Sequence, residues 1–201
     1  MSYIHEIMAY VPQNEQETAD KKEILDFIAR FPNDVLTREN RVAHITSSGF
    51  IVNEGCDRVL LAHHNIMDVW AWTGGHADGE RDLLSVAVRE AMEETGITHI
   101  RPLKREIASL DILPVFGHVR RGVYVSTHLH LSAAYLLKCS QKDALTPCEG
   151  ENTAVGWFPF SYFTAEHFNA SDVYLYNKLI DRAKAAFKEL NQIDQIPRKM
   201  S

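Results

Sequence analysis

The sequence predicts a mixed α/β domain in which strands lie before and after one central helix, and further helices lie at both ends of the chain. Three patterns indicate this class. Short apolar segments separated by turn residues predict strands, and two of these segments predict a hairpin. One segment of helical periodicity lies between the strands, and two more flank them. Because helices and strands do not alternate regularly, a doubly wound sheet is not expected.

The first half of the chain supplies a helix, a hairpin and a short strand. The segment "NEQETADKKEILDFIARFPN" has helical periodicity and stops near Pro32. The segments "VAHITSSGFIVN" and "RVLLAHHN" flank the turn residues "EGCD", which predicts a hairpin. The segment "VWAW" predicts a strand that leads into Gly74 and Gly75. The central helix is expected over Asp82–Thr95, with Gly96 as its left-handed stop.

The second half supplies three more strands and a terminal helix. The segments "EIASLDILPVF" and "GVYVSTHLHLSAAYLL" predict strands, and the second is long enough to bend or to contain a bulge. The segment "NTAVGWFPF" predicts a last strand that ends at Pro159. The segment "SDVYLYNKLIDRAKAAFKEL" predicts a helix with Ser171 or Asp172 as its N-cap.

Composition and charge narrow the classes of protein to consider. The 201 residues include 21 Lys plus Arg against 27 Asp plus Glu, a formal charge of −6. This balance does not favour a nucleic acid polymer or an anionic membrane as partner. Cys56, Cys139 and Cys148 form no CxxC pair, which favours a reducing compartment. The first residues lack the pattern of a signal peptide, so a soluble cytoplasmic protein is expected.

The central helix carries an unusual group of carboxylates. Glu90 relates to Glu93 and Glu94 as i to i+3 and i+4, so all three are neighbours on the helix surface. Like charges at this spacing destabilise a helix by a few tenths of a kcal/mol per pair. They form either a solvated acidic face or a site for a hard cation such as Mg²⁺, which prefers oxygen ligands. The helix face expected to pack on the sheet consists of Leu84, Ala87, Val88, Ala91 and Thr95.

The segment around this helix resembles a known motif. "GGHADGERDLLSVAVREAMEETGI" is similar to the Nudix box, G-x5-E-x7-R-E-U-x-E-E-x-G-U, in which U is a bulky aliphatic residue. Gly75 matches the first glycine, and Arg89–Ile97 match the second half of the box, with Ala91 smaller than usual at the first U. At the position of the first glutamate the sequence has Arg81, so either Glu80 or Asp82 is a candidate to replace it.

The resemblance covers roughly residues 42–160 and implies the Nudix fold, a mixed sheet sandwiched between helices. It implies hydrolysis of a nucleoside diphosphate linked to another group, X, with Mg²⁺ or Mn²⁺ as cofactor, and many family members are homodimers. The implied metal ligands are Glu90, Glu93, Glu94 and the carbonyl of Gly75, while Arg89 orients a carboxylate. The expected domain limits are 1–40 for an N-terminal helical extension, 41–165 for the Nudix domain and 166–201 for a C-terminal helix on the same domain.

Other residues are candidates for contact with the substrate or the water. Glu151 occupies a loop before the last strand, where family members often supply a general base, and Glu149 is the weaker competitor. The expected catalytic residues are therefore Glu93, Glu94, Arg89 and Glu151. His76 lies in the glycine loop, and His128 and His130 share one side of a strand. These histidines either contact a phosphate or are packed, hydrogen-bonded residues of the sheet.

Two alternatives to a hydrolase remain open at this point. An isopentenyl diphosphate isomerase-like enzyme has the same fold and a related "W-T-x-x-x-C-G-H" segment. Here "WTGGH" is shorter, and Gly74 stands where the isomerase has its cysteine. A non-catalytic module that senses a nucleotide is favoured by Arg81 alone, because the metal ligands are all present. In each case the expected ligand is a small-molecule diphosphate.

Overall fold

The computed structural model describes residues 2–120 and 122–194, in which ten strands and four α-helices form. The strands are β1 (Ala43–Val52), β2 (Arg58–His64), β3 (Val69–Ala71), β4 (Thr73–His76), β5 (Arg101–Pro102), β6 (Ser109–Val115), β7 (His118–Arg120), β8 (Val123–Val125), β9 (His128–Lys138) and β10 (Asn152–Pro159). The helices are α1 (Tyr3–Ala9), α2 (Glu15–Arg30), α3 (Leu83–Thr95) and α4 (Ala170–Asp194). The class is the mixed α/β class that the sequence predicts.

Eight of the strands form one mixed sheet around β1. The sheet has the order β10-β2-β1-β9-β5, and β3, β4 and β6 pair with β2, β1 and β9 respectively. Strands β1 and β9 are parallel over their full length. The predicted hairpin is confirmed, because β1 and β2 are antiparallel with Ile51 opposite Leu60. Strand β4 pairs with the other half of β1, which brings the glycine pair next to the centre of the sheet. Gly74, Gly75 and His76 therefore lie in a strand and not in the expected glycine loop, because their backbone groups pair with β1.

Different helices cover the two faces of this sheet. On β1, Ile45 and Ile51 point to the face covered by α1, α2 and α3, whereas Phe50 and Val52 point to the face covered by α4. Burial of apolar side chains on both faces contributes about 25 cal/mol per Å² of apolar surface. The predicted helix 14–33 corresponds to α2, which ends before Pro32 because proline cannot continue a helix.

A buried ionic cluster joins α2 to α4. Glu17 is 0% exposed. Nη1 and Nη2 of Arg182 donate to Oε1 and Oε2 of Glu17 at 2.6 and 2.9 Å. Nζ of Lys178 lies 3.2 Å from Oε1 of Glu17 and also pairs with Asp111 on β6. The hydroxyl of Tyr10 accepts from Arg182 as well, so α2, β6 and α4 meet at one polar centre.

The structure corrects three expectations about element boundaries. The single strand expected over residues 122–137 is interrupted at Ser126 and Thr127, because β8 leaves the main sheet and pairs with β7. Helix α4 starts at Ala170, and Oδ1 of Asn169 accepts from the backbone N–H of Asp172, so the cap is Asn169 rather than Ser171 or Asp172. Helix α1 was not expected as a separate element.

No helix within residues 2–120 and 122–194 is both long enough and apolar enough to cross a membrane.

The thiols of Cys56, Cys139 and Cys148 are all free, and the first two are buried. Burial raises the pKa of the Cys139 thiol to about 12, with a further increase from the charges of Asp143 and Glu54.

Candidate functional site

The loop before α3 is held by the two carboxylates that flank Arg81. Oε1 of Glu80 accepts from the backbone N–H groups of Arg81 and Asp82 at 2.7 and 2.9 Å. Oδ1 of Asp82 accepts from the N–H of Ser85 at 3.1 Å and so caps the helix. The guanidinium of Arg81 lies 5.8 Å from the centre of the Tyr3 ring. Glu80 and Asp82 therefore both order the backbone of this loop, whereas Arg81 interacts with α1.

The face of α3 that packs on the sheet differs from the expected one. The prediction omitted Leu83 and Val86, which are buried, and it included Val88, which is only half-buried. The reason is that the apolar residues of α3 cover more than half of its circumference, so periodicity alone does not define the centre of the buried face. Glu90 and Glu94 are half-buried and lie against Gly75 and Gly74 of β4.

Glu94 is the most enclosed of the three box carboxylates. Oε1 of Glu94 accepts from the backbone N–H of Gly74 at 2.9 Å, and Oε2 accepts from Nδ2 of Asn152 at 3.3 Å. Burial raises the pKa of Glu94 to about 7; the two hydrogen bonds oppose this shift, and the charges of Glu90 and Glu151 add to it. Asn152, at the start of β10, was not identified from the sequence, since an isolated asparagine at the start of a strand carries no motif.

Glu90 lies directly against Gly75. A Cβ atom at Gly75 would lie 2.3 Å from Oε2 of Glu90, so only glycine allows this contact. Nη1 of Arg89 lies 2.7 Å from Oε1 of Glu90 and 3.3 Å from Oε2 of Glu93. Burial raises the pKa of Glu90; Arg89 opposes the shift, and Glu93 and Glu151 add to it.

The structure does not bring all the predicted residues to the same point. Glu90, Glu94 and Gly75 meet between α3 and β4, and Glu151 is close enough for its charge to raise the pKa of both glutamates. The side chain of Glu93 is 55% exposed and lies on the outer side of the helix, beside Arg89.

The three histidines singled out from the sequence lie in a second group, together with a fourth. His44 on β1, His76 on β4, and His128 and His130 on β9 each offer one ring nitrogen, and these four atoms all lie within 4.8 Å of one another. The parallel pairing sets His44 opposite His130. His44 was missed because the sequence pattern does not indicate which strands become neighbours.

Two of these histidines donate to backbone carbonyl groups. Nδ1 of His44 lies 2.9 Å from the carbonyl oxygen of Asn40, and Nδ1 of His128 lies 2.9 Å from that of Ser126. A carbonyl oxygen only accepts, so each Nδ1 carries a proton, and in the neutral ring the lone pair is on Nε2.

Two buried ring nitrogens of this group have no hydrogen-bond partner within the described part of the chain, namely Nε2 of His44 and Nε2 of His130. Leaving such a group unpaired costs on the order of 1–3 kcal/mol. Burial lowers the pKa of His130 to about 3, and repulsion from His76, His44 and His128 adds to this shift. Burial also lowers the pKa of His44. His44 and His130 are therefore neutral at physiological pH, and each has one buried ring nitrogen that is not hydrogen-bonded within the described residues.

A mixed sheet between helices, with a box of this spacing on α3, defines a family of proteins. The NUDIX domain matches residues 43–179, which is more than half of the chain. The chain therefore belongs to the NUDIX family, whose members are typically metal-dependent pyrophosphohydrolases acting on small molecules.

Several solved structures resemble the chain at low sequence identity. The E. coli dihydroneopterin triphosphate pyrophosphohydrolase is 16% identical, with a TM-score of 0.51, over 68% of this chain and 94% of that one. A NUDIX-family hydrolase from Clostridium perfringens is 22% identical, with a TM-score of 0.49, over 69% and 96%. A C. elegans Ap4A hydrolase is 16% identical, with a TM-score of 0.46, over 72% and 98%. No curated protein matches the chain significantly.

Proposed function

We propose that the protein is a metal-dependent hydrolase that cleaves the diphosphate linkage between a nucleoside and another group. The observation that carries this proposal is the meeting of the Glu90 and Glu94 carboxylates at the Gly74–Gly75 backbone. An enclosed carboxylate whose neighbours are other carboxylates is unfavourable without a cation. The arrangement of carboxylates is therefore more favourable with a bound hard divalent cation than without one.

The residues present fit Mg²⁺ or Mn²⁺. Both ions prefer oxygen ligands, and the ligands of Mg²⁺ are usually carboxylates, waters and substrate phosphates. Glu90, Glu94 and the carbonyl of Gly75 would hold the ion, and the absence of a side chain at Gly75 keeps its backbone accessible to Glu90. Glu93 would join them by turning its exposed side chain inward from Arg89. When bound, the cation would neutralise charge on the diphosphate and favour ionisation of a water.

The other residues of the site orient these groups. Arg89 contacts Glu90 and Glu93 and so fixes the direction of both carboxylates. The N–H of Gly74 and the amide of Asn152 hold Glu94 in the same way. We assign Glu151 as the candidate general base, since its charge reaches both Glu90 and Glu94 and its loop is anchored by the N–H of Asn65 donating to its carbonyl.

The lack of space for a side chain at Gly74 favours a hydrolase over an isomerase. A Cβ atom at Gly74 would lie 2.6 Å from Cβ and 2.8 Å from Cα of Ser48 on the neighbouring strand β1. The position therefore has no room for the cysteine of the isomerase segment. The sensing module is disfavoured because Glu90, Glu93 and Glu94 are all retained.

The test is hydrolysis of a broad panel of diphosphates, with and without Mg²⁺ or Mn²⁺. We expect release of phosphate or nucleotide from at least one substrate only when the metal is present. Glu93→Gln should nearly abolish this turnover. Binding of nucleotides without turnover across the whole panel would instead favour the sensing module, and Arg81→Glu would then be the first variant to measure.

Gly75→Ala tests the contact between β4 and α3. The new methyl group cannot occupy the space of the Glu90 carboxylate, so Glu90 must turn away from the site. We expect metal-dependent turnover to fall by at least ~10-fold, because a small displacement of a catalytic group is costly. The free energy of unfolding should change by less than about 1 kcal/mol, because the displaced atoms are the end of a flexible side chain. Steady-state kinetics and urea denaturation measure the two effects. Gly79→Ala is not a suitable control, because Gly79 has a φ of +91°; Ala77→Gly, in the same loop, tests for general loosening.

A further inference from the structure

We propose that His44, His76, His128 and His130 form a binding site for one zinc ion, separate from the carboxylate site. Three strands contribute the four imidazoles, and no two of the ligand atoms are more than 4.8 Å apart. Zinc binds histidine nitrogen at about 2.0–2.1 Å in tetrahedral geometry, which sets ligand atoms roughly 3.4 Å apart. The side chains therefore need to move together by only roughly 1 Å to complete the site.

The hydrogen bonds of the histidine group favour a cation over an anion. In His44 and His128 the Nδ1–H donates to a backbone carbonyl, which leaves the Nε2 lone pair free to bind a metal. This arrangement, in which the second ring nitrogen donates to an outer acceptor, is the usual support of a histidine metal ligand. A phosphate needs donors, and a lone pair on a neutral ring repels it. The buried Nε2 atoms of His44 and His130, without partners in the described structure, are accounted for by the same ion.

The ligand type selects the metal. Neutral imidazoles suit zinc and other late transition ions, whereas Mg²⁺ and Ca²⁺ require oxygen ligands. Four protein ligands around one ion make a closed site of the structural type, with no open position for a reacting group. Because β4 also carries Gly75, the ion would clamp β4 to β1 and β9 on the face opposite α3. The metal would thus hold the backbone on which the carboxylate site is built.

Zinc binding to the metal-free protein tests the proposal directly. In competition with a chromophoric chelator, the wild type should bind one zinc ion per chain, and its thermal midpoint should rise. Co²⁺ should give the visible absorption of a tetrahedral complex. His130→Asn and His44→Asn should weaken zinc binding by roughly 100-fold or more, since loss of an outer partner alone costs 10- to 100-fold. His99→Asn, an exposed histidine in the loop after α3, is the matched control and should bind zinc normally.

The Glu94→Gln variant distinguishes this site from the carboxylate site. It should still bind one zinc ion, and millimolar Mg²⁺ should not displace that ion. If zinc binding is lost in Glu94→Gln but kept in His130→Asn, the ion lies on the carboxylates and the proposal is wrong. Absence of stoichiometric zinc binding and of the tetrahedral cobalt spectrum in the wild type would overturn it as well, whether or not the histidine variants fold.

Discussion

Glu94→Gln is expected to lower metal-dependent turnover by roughly 100- to 1000-fold, a typical cost of removing one group that stabilises charge in a transition state. The amide has nearly the same shape as the carboxylate and can still accept from the N–H of Gly74. It lacks the negative charge that a divalent cation requires. Steady-state kinetics over a range of Mg²⁺ concentrations measure the loss.

The thermal stability of Glu94→Gln, unlike its activity, should not decrease and is expected to increase. Burial holds the pKa of Glu94 at about 7, above its ordinary value, so the ionised group destabilises the folded protein as the pH rises through 7. Without metal, Glu94→Gln should therefore unfold at a temperature equal to or higher than the wild type at pH 8. Glu106→Gln, an exposed glutamate before β6, is the control and should change neither property. A destabilised Glu94→Gln protein would contradict this account, because lost activity would then reflect unfolding.

Arg182→Met is expected to lower the free energy of unfolding by about 3–5 kcal/mol, the usual cost of removing one partner of a buried ion pair. Glu17 is fully buried, and of the two cations that contact its carboxylate only Lys178 would remain. The double variant Glu17→Leu/Arg182→Met should recover most of this loss, since an apolar pair of similar volume replaces the ions. Urea denaturation measures all three proteins.

The control for this prediction is a pair on the surface. Lys104 pairs with Glu189, and both side chains are well exposed, so Lys104→Met should change the free energy of unfolding by less than about 1 kcal/mol. Equal effects of Arg182→Met and Lys104→Met would show that burial of the Glu17 cluster contributes nothing.

The same cluster makes stability depend on pH in a defined direction. Burial alone would raise the pKa of Glu17, but donation from Arg182 and from the N–H of Gln13 lowers it to about 2. A carboxyl group with a lowered pKa stabilises the fold above its unfolded pKa, and this contribution is lost as the pH falls. Between pH 4.5 and about 2, the wild type should therefore lose more stability than the double variant.

Local pattern was sufficient for the elements whose periodicity is regular. The β1–β2 hairpin, α2 and α3 were predicted because turn residues, Pro32 and Gly96 mark their ends. The break before β9 was not predicted, because the alternation of "GVYVSTHLHL" continues through it and only pairing with β7 separates β8 from the main sheet. Similarly, Asn169 and Ser171 are both good caps in sequence, and the structure alone distinguishes them.

In the candidate site, too, some residues could be predicted from local spacing and others could not. The box spacing on α3 predicted that Glu90 and Glu94 lie near Gly74 and Gly75, because four residues make about one helical turn. The structure places the two glycines in strand β4 rather than in a turn. Neither the Asn152 contact nor the histidine group was predictable from spacing. His44 and His130 are opposite each other only because β1 and β9 pair in parallel in one register. Such a contact between distant segments depends on topology, to which a single sequence gives no direct access.

The ionic cluster between α2 and α4 also has a consequence for the order in which the protein folds. Glu17 is synthesised early, but its partner Arg182 leaves the ribosome 165 residues later. Until then the Glu17 carboxylate on α2 lacks the guanidinium with which it pairs in the folded protein. Contacts of such long sequence separation slow folding. We therefore expect α1 and α2, although they are synthesised first, to complete their packing last, when α4 docks.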